Sequence, residues 1–399
     1  MIEQKPLRGI RVLDLSRVLA GPFCAMNLAD LGADVIKVEL PGRGDDSRGY
    51  APRIPNSNDS GYYYSVNRGK RIVTIDLRRP AGAGLLLELA GRSDVVLENF
   101  SPGTMERFNL GYSRLAAANP RIILCSISGF GQSGPMAAAP AYDIVAQALG
   151  GTMSITGPAG GEPTRCGVSV GDLAAALYGV IAILAALRER DLSGAGRHLD
   201  IAMLDCQVAW LEDALARFSA TGVAPKPIGS RHPSITPFQQ FKAADGYFVA
   251  GCGNEPIWRR FCDAIGLPAL KDDPRFLANA GRTANHAALE PILQAHFAAL
   301  PRAHWLGLLG AANVPAAPIA TVDEVAVNPH LHERRMILRA DHPAFADLIV
   351  PGSPLKTAGV TSAPPTRSPA LGENTDAVLG EVLGYDADRI ARLRADGVI

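Results

Sequence analysis

The sequence predicts an α/β protein: a Rossmann-like large domain with an inserted small α+β domain. Three observations carry that expectation. The first hundred residues alternate short apolar β-type runs with helical stretches, the rhythm of βαβ units in a parallel sheet. Residues 222–237 are crowded with Pro, Gly and Ser, the composition of a linker. At 399 residues the chain is longer than one core usually organises. The expected layout is therefore a first part of the large domain at 1–221, a linker at 222–237, a small domain at 238–325 and a return segment to the large domain at 326–399.

The elements follow in order. Strands are expected at 10–15, 35–38, 72–77 and 95–97, each a run rich in Val, Ile and Leu. Helices are expected at 22–31, where Pro22 suits a first turn and Gly32 the position after the end, and at 80–92. A strand at 122–126 continues the pattern. A long apolar helix starts at Asp172, a strand covers 198–203, and a helix starts at 204. The second unit offers a strand at 247–250 and helices at 257–265 and 286–299. Strands at 336–338 and 348–350 precede helical sequence from 373.

Composition narrows the function. With 47% hydrophobic and 20% charged residues the chain is that of a soluble globular protein. Lys plus Arg and Asp plus Glu both total 39, so the basic excess of a nucleic-acid binder is missing and any phosphate site must be local. The six cysteines (24, 125, 166, 206, 252 and 262) form no CxxC pair, which argues against a disulfide framework or structural zinc and for a reducing cytoplasm. The opening MIEQKPLRGI has no apolar signal core. The most apolar run, 173–187, is 15 residues long against the ~20 that span a bilayer, so it reads as a buried helix and no membrane is expected.

Nucleotide signatures fail when tested position by position. Gly69-Lys70-Arg71 lacks the Ser or Thr after the lysine and has Tyr64 where a Walker A loop needs glycine; Gly251-Cys252-Gly253 meets Pro256 where a dinucleotide fingerprint needs glycine. His330-Leu331-His332-Glu333 is explained by a polar helix turn after Pro329, and no metal is expected. Gly167-Val168-Ser169-Val170-Gly171 fits the nucleophile elbow of a serine hydrolase, but the preceding residues 161–165 are too polar and broken for its core strand. Asp172 heads the apolar helix. It can be a plain N-cap, or a nucleophilic carboxylate favoured by the helix start, with Gly167 and Gly171 leaving room for a substrate. Arg78 and Arg107 can supply local cations for phosphates or stand as surface arginines. Asn99-Phe100 follows a strand at the end where open α/β sheets place ligands.

Long motifs in a fixed order then show a resemblance. LRGIRVLDLSRVLAGPFCAMNLADLGADVIKVE, GDDSRGY, NRGKRIVTIDL, DVVLENFSPGTMERFNLGY, ISGFGQSGP, AYDIVAQALGG and GVSVGDLAAALYGVIAILAAL are similar to the class III CoA-transferases of the CaiB/BaiF type. The resemblance implies an interlocked homodimer, a nucleophile at Asp172, and CoA or acyl-CoA as substrate with no tightly bound cofactor. It implies CoA contacts at Ile75, Arg78, Asn99, Phe100, Arg107 and Met203, and a tyrosine–acid pair beside the acyl group at Tyr142 and Asp143. It also implies a mobile shielding loop at Gly251, Cys252 and Gly253. Leu40 and Pro140 depart from two CoA-holding cations of formyl-CoA transferase, and Leu19 from a substrate-contacting glutamine, which speaks against oxalate or formate.

The expected reaction moves CoA from an acyl-CoA, with succinyl-CoA as donor, to a small dicarboxylic acid through an aspartyl anhydride and an aspartyl-CoA thioester. Arg17 and Arg48, in loops that border the active site in this family, are the expected holders of the second carboxylate. The rival readings are an α-methylacyl-CoA racemase, whose His–Asp pair is replaced here by Tyr142-Asp143, a serine hydrolase on Ser169, and a non-catalytic CoA-binding protein.

Overall fold

The computed structural model describes residues 5–356 and 365–399. Residues 1–4 of the expected large domain and 357–364 of the expected return segment lie outside the described residues. The chain divides into two compact units: one of Met1–Thr152, Arg165–Ala216 and Asn328–Ile399, the other of Met153–Thr164 and Arg217–Val327. Residues 153–164, expected with the large domain, group with the smaller unit.

The first unit is built on six parallel strands: β1 (Arg11–Asp14), β2 (Asp34–Glu39), β3 (Arg71–Thr74), β4 (Val95–Glu98), β5 (Ile123–Ser128) and β6 (His198–Ala202), in the order β3-β2-β1-β4-β5-β6. The side chains of the inner strands alternate between two cores. Val12, Val95, Leu97, Ile123 and Cys125 face one that includes helices Ala20–Asp30 and Val170–Ser193. Leu13, Val96 and Leu124 face another shared with Pro80–Ala90, Thr375–Leu383 and Ala387–Ala395. Burial on both faces is why these strands read as continuous apolar runs. The order reverses between β1 and β4, which opens a crevice at their C-terminal ends.

The helix Val170–Ser193 corrects two expectations. It starts two residues before Asp172 and runs for 24 residues. Among the described residues it is the one helix long and apolar enough to cross a membrane, so length alone does not decide its role. Packing does: Ala174, Ala175, Ala176 and Ile183 are fully buried in the first core. A Cβ on Gly179 would stand 3.2 Å from Cys24 Sγ and from Ile127 Cδ1, so the glycine lets the helix seat closely against sheet and neighbour.

β3 is an edge strand whose outer backbone groups need partners. Ile72 N–H donates to Asn374 Oδ1 at 2.8 Å and Thr74 N–H to Thr375 Oγ1 at 3.1 Å. Just beyond the strand, Asp76 N–H donates to the Val398 carbonyl at 2.8 Å. Residues 374–398 thus finish an edge that begins three hundred residues earlier. The hairpin β10 (Ile337–Arg339) and β11 (Ile349–Pro351) also belongs to this unit.

The second unit holds the antiparallel sheet β7 (Phe238–Ala243), β8 (Gly246–Gly251) and β9 (Ala316–Pro318). Its core is aromatic, with Phe241, Phe248, Phe261, Phe297, Trp258 and Trp305 buried together. Only β8 was expected as a strand.

Candidate active site

A cavity of about 240 Å³ opens at the C-terminal ends of β1 to β4. Ser16 and Arg17 follow β1, Leu40 and Arg43 follow β2, Ile75 and Arg78 follow β3, and Phe100 follows β4. Ile75 is buried in its wall. Phe100 meets Phe108 edge to face, with centroids 6.1 Å apart, and the Arg17 guanidinium lies 5.7 Å from the Phe100 ring. Acids share the lining: Arg78 forks onto Asp76 at 2.7 and 2.8 Å, and Arg17 and Arg43 both reach Asp46. A neighbouring cleft of about 320 Å³ shares Leu77, Arg78 and Phe108 with the cavity and adds Arg79, Arg107 and Arg114.

The turn from β1 into the first helix forms one wall, and it is held from three sides. Asn99 accepts from Arg17 N–H at 2.8 Å and donates to the Arg17 carbonyl at 2.9 Å. Lys37 Nζ donates to the Ser16 carbonyl at 2.6 Å. Both carboxylate oxygens of Asp45 accept from Val18 N–H at 3.2 Å. Val18 sits at φ +67°, a conformation that costs a β-branched residue roughly 1–3 kcal/mol and persists only where its surroundings impose it. Beneath the turn, Lys37 pairs with Asp45 at 3.0 Å and Lys70 with Asp14 at 2.8 Å, all four side chains buried. Burial pushes the Lys70 ammonium down to about 8. Against its own burial, Asp45 is drawn down to about 2 by Lys37 and by hydrogen bonds from Ser47.

Asp172 lies in the first turn of Val170–Ser193, as its third residue and not its cap. Its carboxylate has no hydrogen bond or ion pair among the described residues. Burial raises its pKa to about 7; the Asp143 charge adds to the rise and Arg165 opposes it. Asp143 is the buried organiser of this end. Its carboxylate accepts from Gly171 N–H at 2.8 Å, from Gln147 Nε2 at 2.8 Å and from Arg165 at 3.0 and 3.1 Å. It thereby satisfies a helix-terminal N–H that the cap residue Ser169 leaves free. A Cβ at Gly171 would come within 3.1 Å of the same carboxylate.

The other expected residues are dispersed. Arg48 is not available to a substrate: its guanidinium is bound to buried Glu39 at 2.6 and 3.1 Å and to Tyr63 at 2.7 Å, and it lies 3.9 Å from the Tyr63 ring centre. Met203 starts the helix Met203–Ala209 and is packed in the first core, outside the cavity lining. Tyr142 is 80% exposed. Gly251 ends β8, and Cys252 is fully buried with its N–H bonded to the Pro237 carbonyl at 2.7 Å. Gly251 closes the strand, while Cys252 and Gly253 follow it outside regular structure; of the trio only Gly253 is exposed. Ser169 accepts from Arg165 at 2.9 Å. It lies at φ −77°, and among the described residues no strand leads directly into it and no histidine bonds it, so the hydrolase elbow is not built.

Sequence reasoning passed over Arg165, Arg43, Arg114 and Tyr62. Tyr62 stacks edge to face with Tyr50 at 5.5 Å. Burial, then the Asp172 charge, push its hydroxyl up to about 12; Asp45, which lines the cavity, contributes too. A protonated phenol therefore lies in the fields of both Asp45 and Asp172.

Comparison with known proteins adds the family. A model of the family described as CoA-transferase family III matches residues 7–375. The succinyl-CoA:glutarate CoA-transferase of Mus musculus is 40% identical over 395 residues, covering 99% of this chain and 90% of the relative. The acetyl-CoA:oxalate CoA-transferase of Acetobacter aceti is 42% identical over 355 residues, 89% of this chain and 90% of that one. A crystal structure of a CAIB/BAIF family protein from Brucella suis superposes with a TM-score of 0.84 at 38% identity, covering 95% of this chain and 100% of the other.

Proposed function

The chain belongs to CoA-transferase family III, and from that premise we propose that it moves CoA from an acyl-CoA, with succinyl-CoA as donor, to a dicarboxylic acid by way of Asp172. The observation that carries this reading is a partly buried carboxylate at the start of a helix, with no hydrogen bond or ion pair among the described residues, beside the Asp143–Arg165 pair. Asp172 Oδ attacks the thioester carbonyl; the C–S bond breaks, leaving a mixed anhydride and CoA thiolate. The thiolate attacks the aspartyl carbonyl, the donor acid departs as its carboxylate, and an aspartyl-CoA thioester remains. The acceptor carboxylate then repeats both steps in reverse, and Asp172 is regenerated with no net proton taken up.

CoA is assigned to the cavity at Ile75, Arg78 and Phe100, with Asn99 fixing the turn beside it and Arg107 in the adjoining cleft. Arg43, three residues after Leu40, offers the cavity a cation that Leu40 does not. Arg17 is the remaining candidate for the acceptor's second carboxylate, since its side chain is half exposed and, among the described residues, its one ion pair is to Asp46 at 3.2 Å. Both relatives above are named for diacids, and one of those is oxalate, so the departure at Leu19 does not remove oxalate from consideration. Among the described residues no histidine is hydrogen-bonded to or ion-paired with Asp172, which favours transfer over racemisation.

We also assign a homodimer and an inserted small domain. Leu177, Ile181 and Leu184 form an exposed apolar stripe on Val170–Ser193, and such a stripe needs a cover. The six free thiols suit a cytoplasmic setting.

The test is incubation with succinyl-CoA alone, then hydroxylamine trapping and peptide mass spectrometry, with turnover measured on oxalate, succinate, glutarate and length-matched monoacids. An adduct on the Asp172 peptide is expected. Transfer should vanish in Asp172→Asn, persist in Ser169→Ala, and lose its diacid preference in Arg17→Gln. A live Asp172→Asn enzyme with a dead Ser169→Ala one would overturn the assignment.

A further inference from the structure

We propose that the four-arginine cleft beside the cavity binds the ribose 3′-phosphate of CoA, so that the enzyme separates CoA from 3′-dephospho-CoA. This rests on the CoA-transfer reading and adds a subsite to it. The two recesses differ in charge. The cavity is lined by Glu39, Asp45, Asp46 and Asp76, and its arginines are already paired with acids. The cleft brings Arg78, Arg79, Arg107 and Arg114 together with no carboxylate in its lining.

Two of the four are free of any acid. Among the described residues the Arg107 guanidinium bonds only the Thr104 hydroxyl, at 2.6 Å, and Arg114 has no side-chain hydrogen bond or ion pair. Arg79 is held by the Asp396 carbonyl at 3.1 Å, with Asp76 further off at 3.6 Å. Asp76 offsets charge on Arg78 and Arg79, which leaves Arg107 and Arg114 as two like charges without a counter-ion on one recess, and an anion entering it relieves their repulsion and gains charge-assisted hydrogen bonds.

CoA carries two kinds of phosphate. Each phosphoryl group of its diphosphate is a diester with about one negative charge, whereas a phosphate monoester carries roughly −1.5 to −2 at neutral pH and presents three strong acceptor oxygens. The most concentrated negative charge on the ligand matches the recess without acids, and guanidinium forks match its oxygens. Leu77, Arg78 and Phe108 belong to both recesses, so one ligand can occupy the two at once.

The experiment compares CoA with 3′-dephospho-CoA by calorimetry, and their succinyl thioesters by kcat/KM, in wild type, Arg114→Ala and Arg114→Lys. Arg114 is exposed, so its substitution should leave the fold intact. Wild type should favour the 3′-phosphorylated ligand by roughly tenfold or more, the worth of one or two charge-assisted bonds. Arg114→Ala should shrink that preference by weakening CoA alone, and Arg114→Lys should restore part of it. Equal binding of the two ligands by wild type, or an Arg114→Ala variant that weakens both in proportion, overturns the subsite. Discrimination in calorimetry without any transfer would sink the proposed activity while leaving the cleft assignment in place.

Discussion

An aspartate attacks a thioester only when ionised, and Asp172 is held near neutrality chiefly by burial, secondly by Asp143, with Arg165 pulling the other way. For the free enzyme, kcat/KM should therefore rise with pH and reach half its plateau near 7, not near the ~4 of an ordinary aspartate. Asp143→Asn removes a neighbouring negative charge and should move that limb to lower pH; Arg165→Gln removes a positive one and should move it higher. A limb fixed in both variants would show that another group sets it. Asp172 stood out in the sequence as a lone acid heading an apolar run, where an N-cap and a nucleophile read alike until the resemblance favoured the second. Arg165 did not, since its partners Asp143 and Ser169 are joined to it only by folding. Arg48 was misread for the same reason in reverse: nothing in GDDSRGY shows that Glu39 and Tyr63 occupy its guanidinium. Tyr62, one of three consecutive tyrosines, is set apart only by which way its helix turns; Tyr63 goes inward to Glu39 at 2.6 Å.

Among the elements, the turn at residues 16–18 is held in shape by side chains outside it. If Asp45 holds Val18 in its left-handed conformation for the sake of the cavity wall, Asp45→Ala should lower kcat/KM by roughly tenfold or more. Adding Val18→Gly should recover part of the loss, because glycine adopts that conformation without steric cost. Asn99→Ala leaves the Lys37–Asp45 pair intact and should be rescued in the same way. No recovery in either background would reduce Asp45 and Asn99 to structural roles unrelated to the turn. Strands β1, β2, β4 and β5 were readable because both faces are buried, so no polar residue interrupts their pattern for long. β7 escaped notice because it buries only alternate residues: Gln239, Phe241 and Ala243 point inward while Gln240 and Lys242 point out, and a buried glutamine hides the period. The helix Val170–Ser193 was cut short at its start because Val170 and Gly171 resemble loop residues until Asp143 supplies the missing acceptor.

At the scale of the molecule, the stripe of Leu177, Ile181 and Leu184 predicts assembly. Ile181 is 60% exposed, so Ile181→Glu should leave the monomer folded yet shift sedimentation toward the monomer mass; an unchanged mass would place the contact elsewhere. The order of the sheet was legible only as a class, since βαβ rhythm does not tell which strand neighbours which, and the grouping of residues 153–164 with the smaller unit had no compositional mark. The edge of the sheet has a bearing on biosynthesis. Every residue lining the cavity lies between 15 and 108, and a ribosome has delivered them all when barely a quarter of the chain is made. Asp76, in the floor of that cavity, nevertheless waits for the Val398 carbonyl, and β3 waits for Asn374 and Thr375. A nascent chain stalled ahead of residue 374 would carry the complete set of cavity residues and still lack these three bonds, so a cavity spelled out early in translation is fastened late.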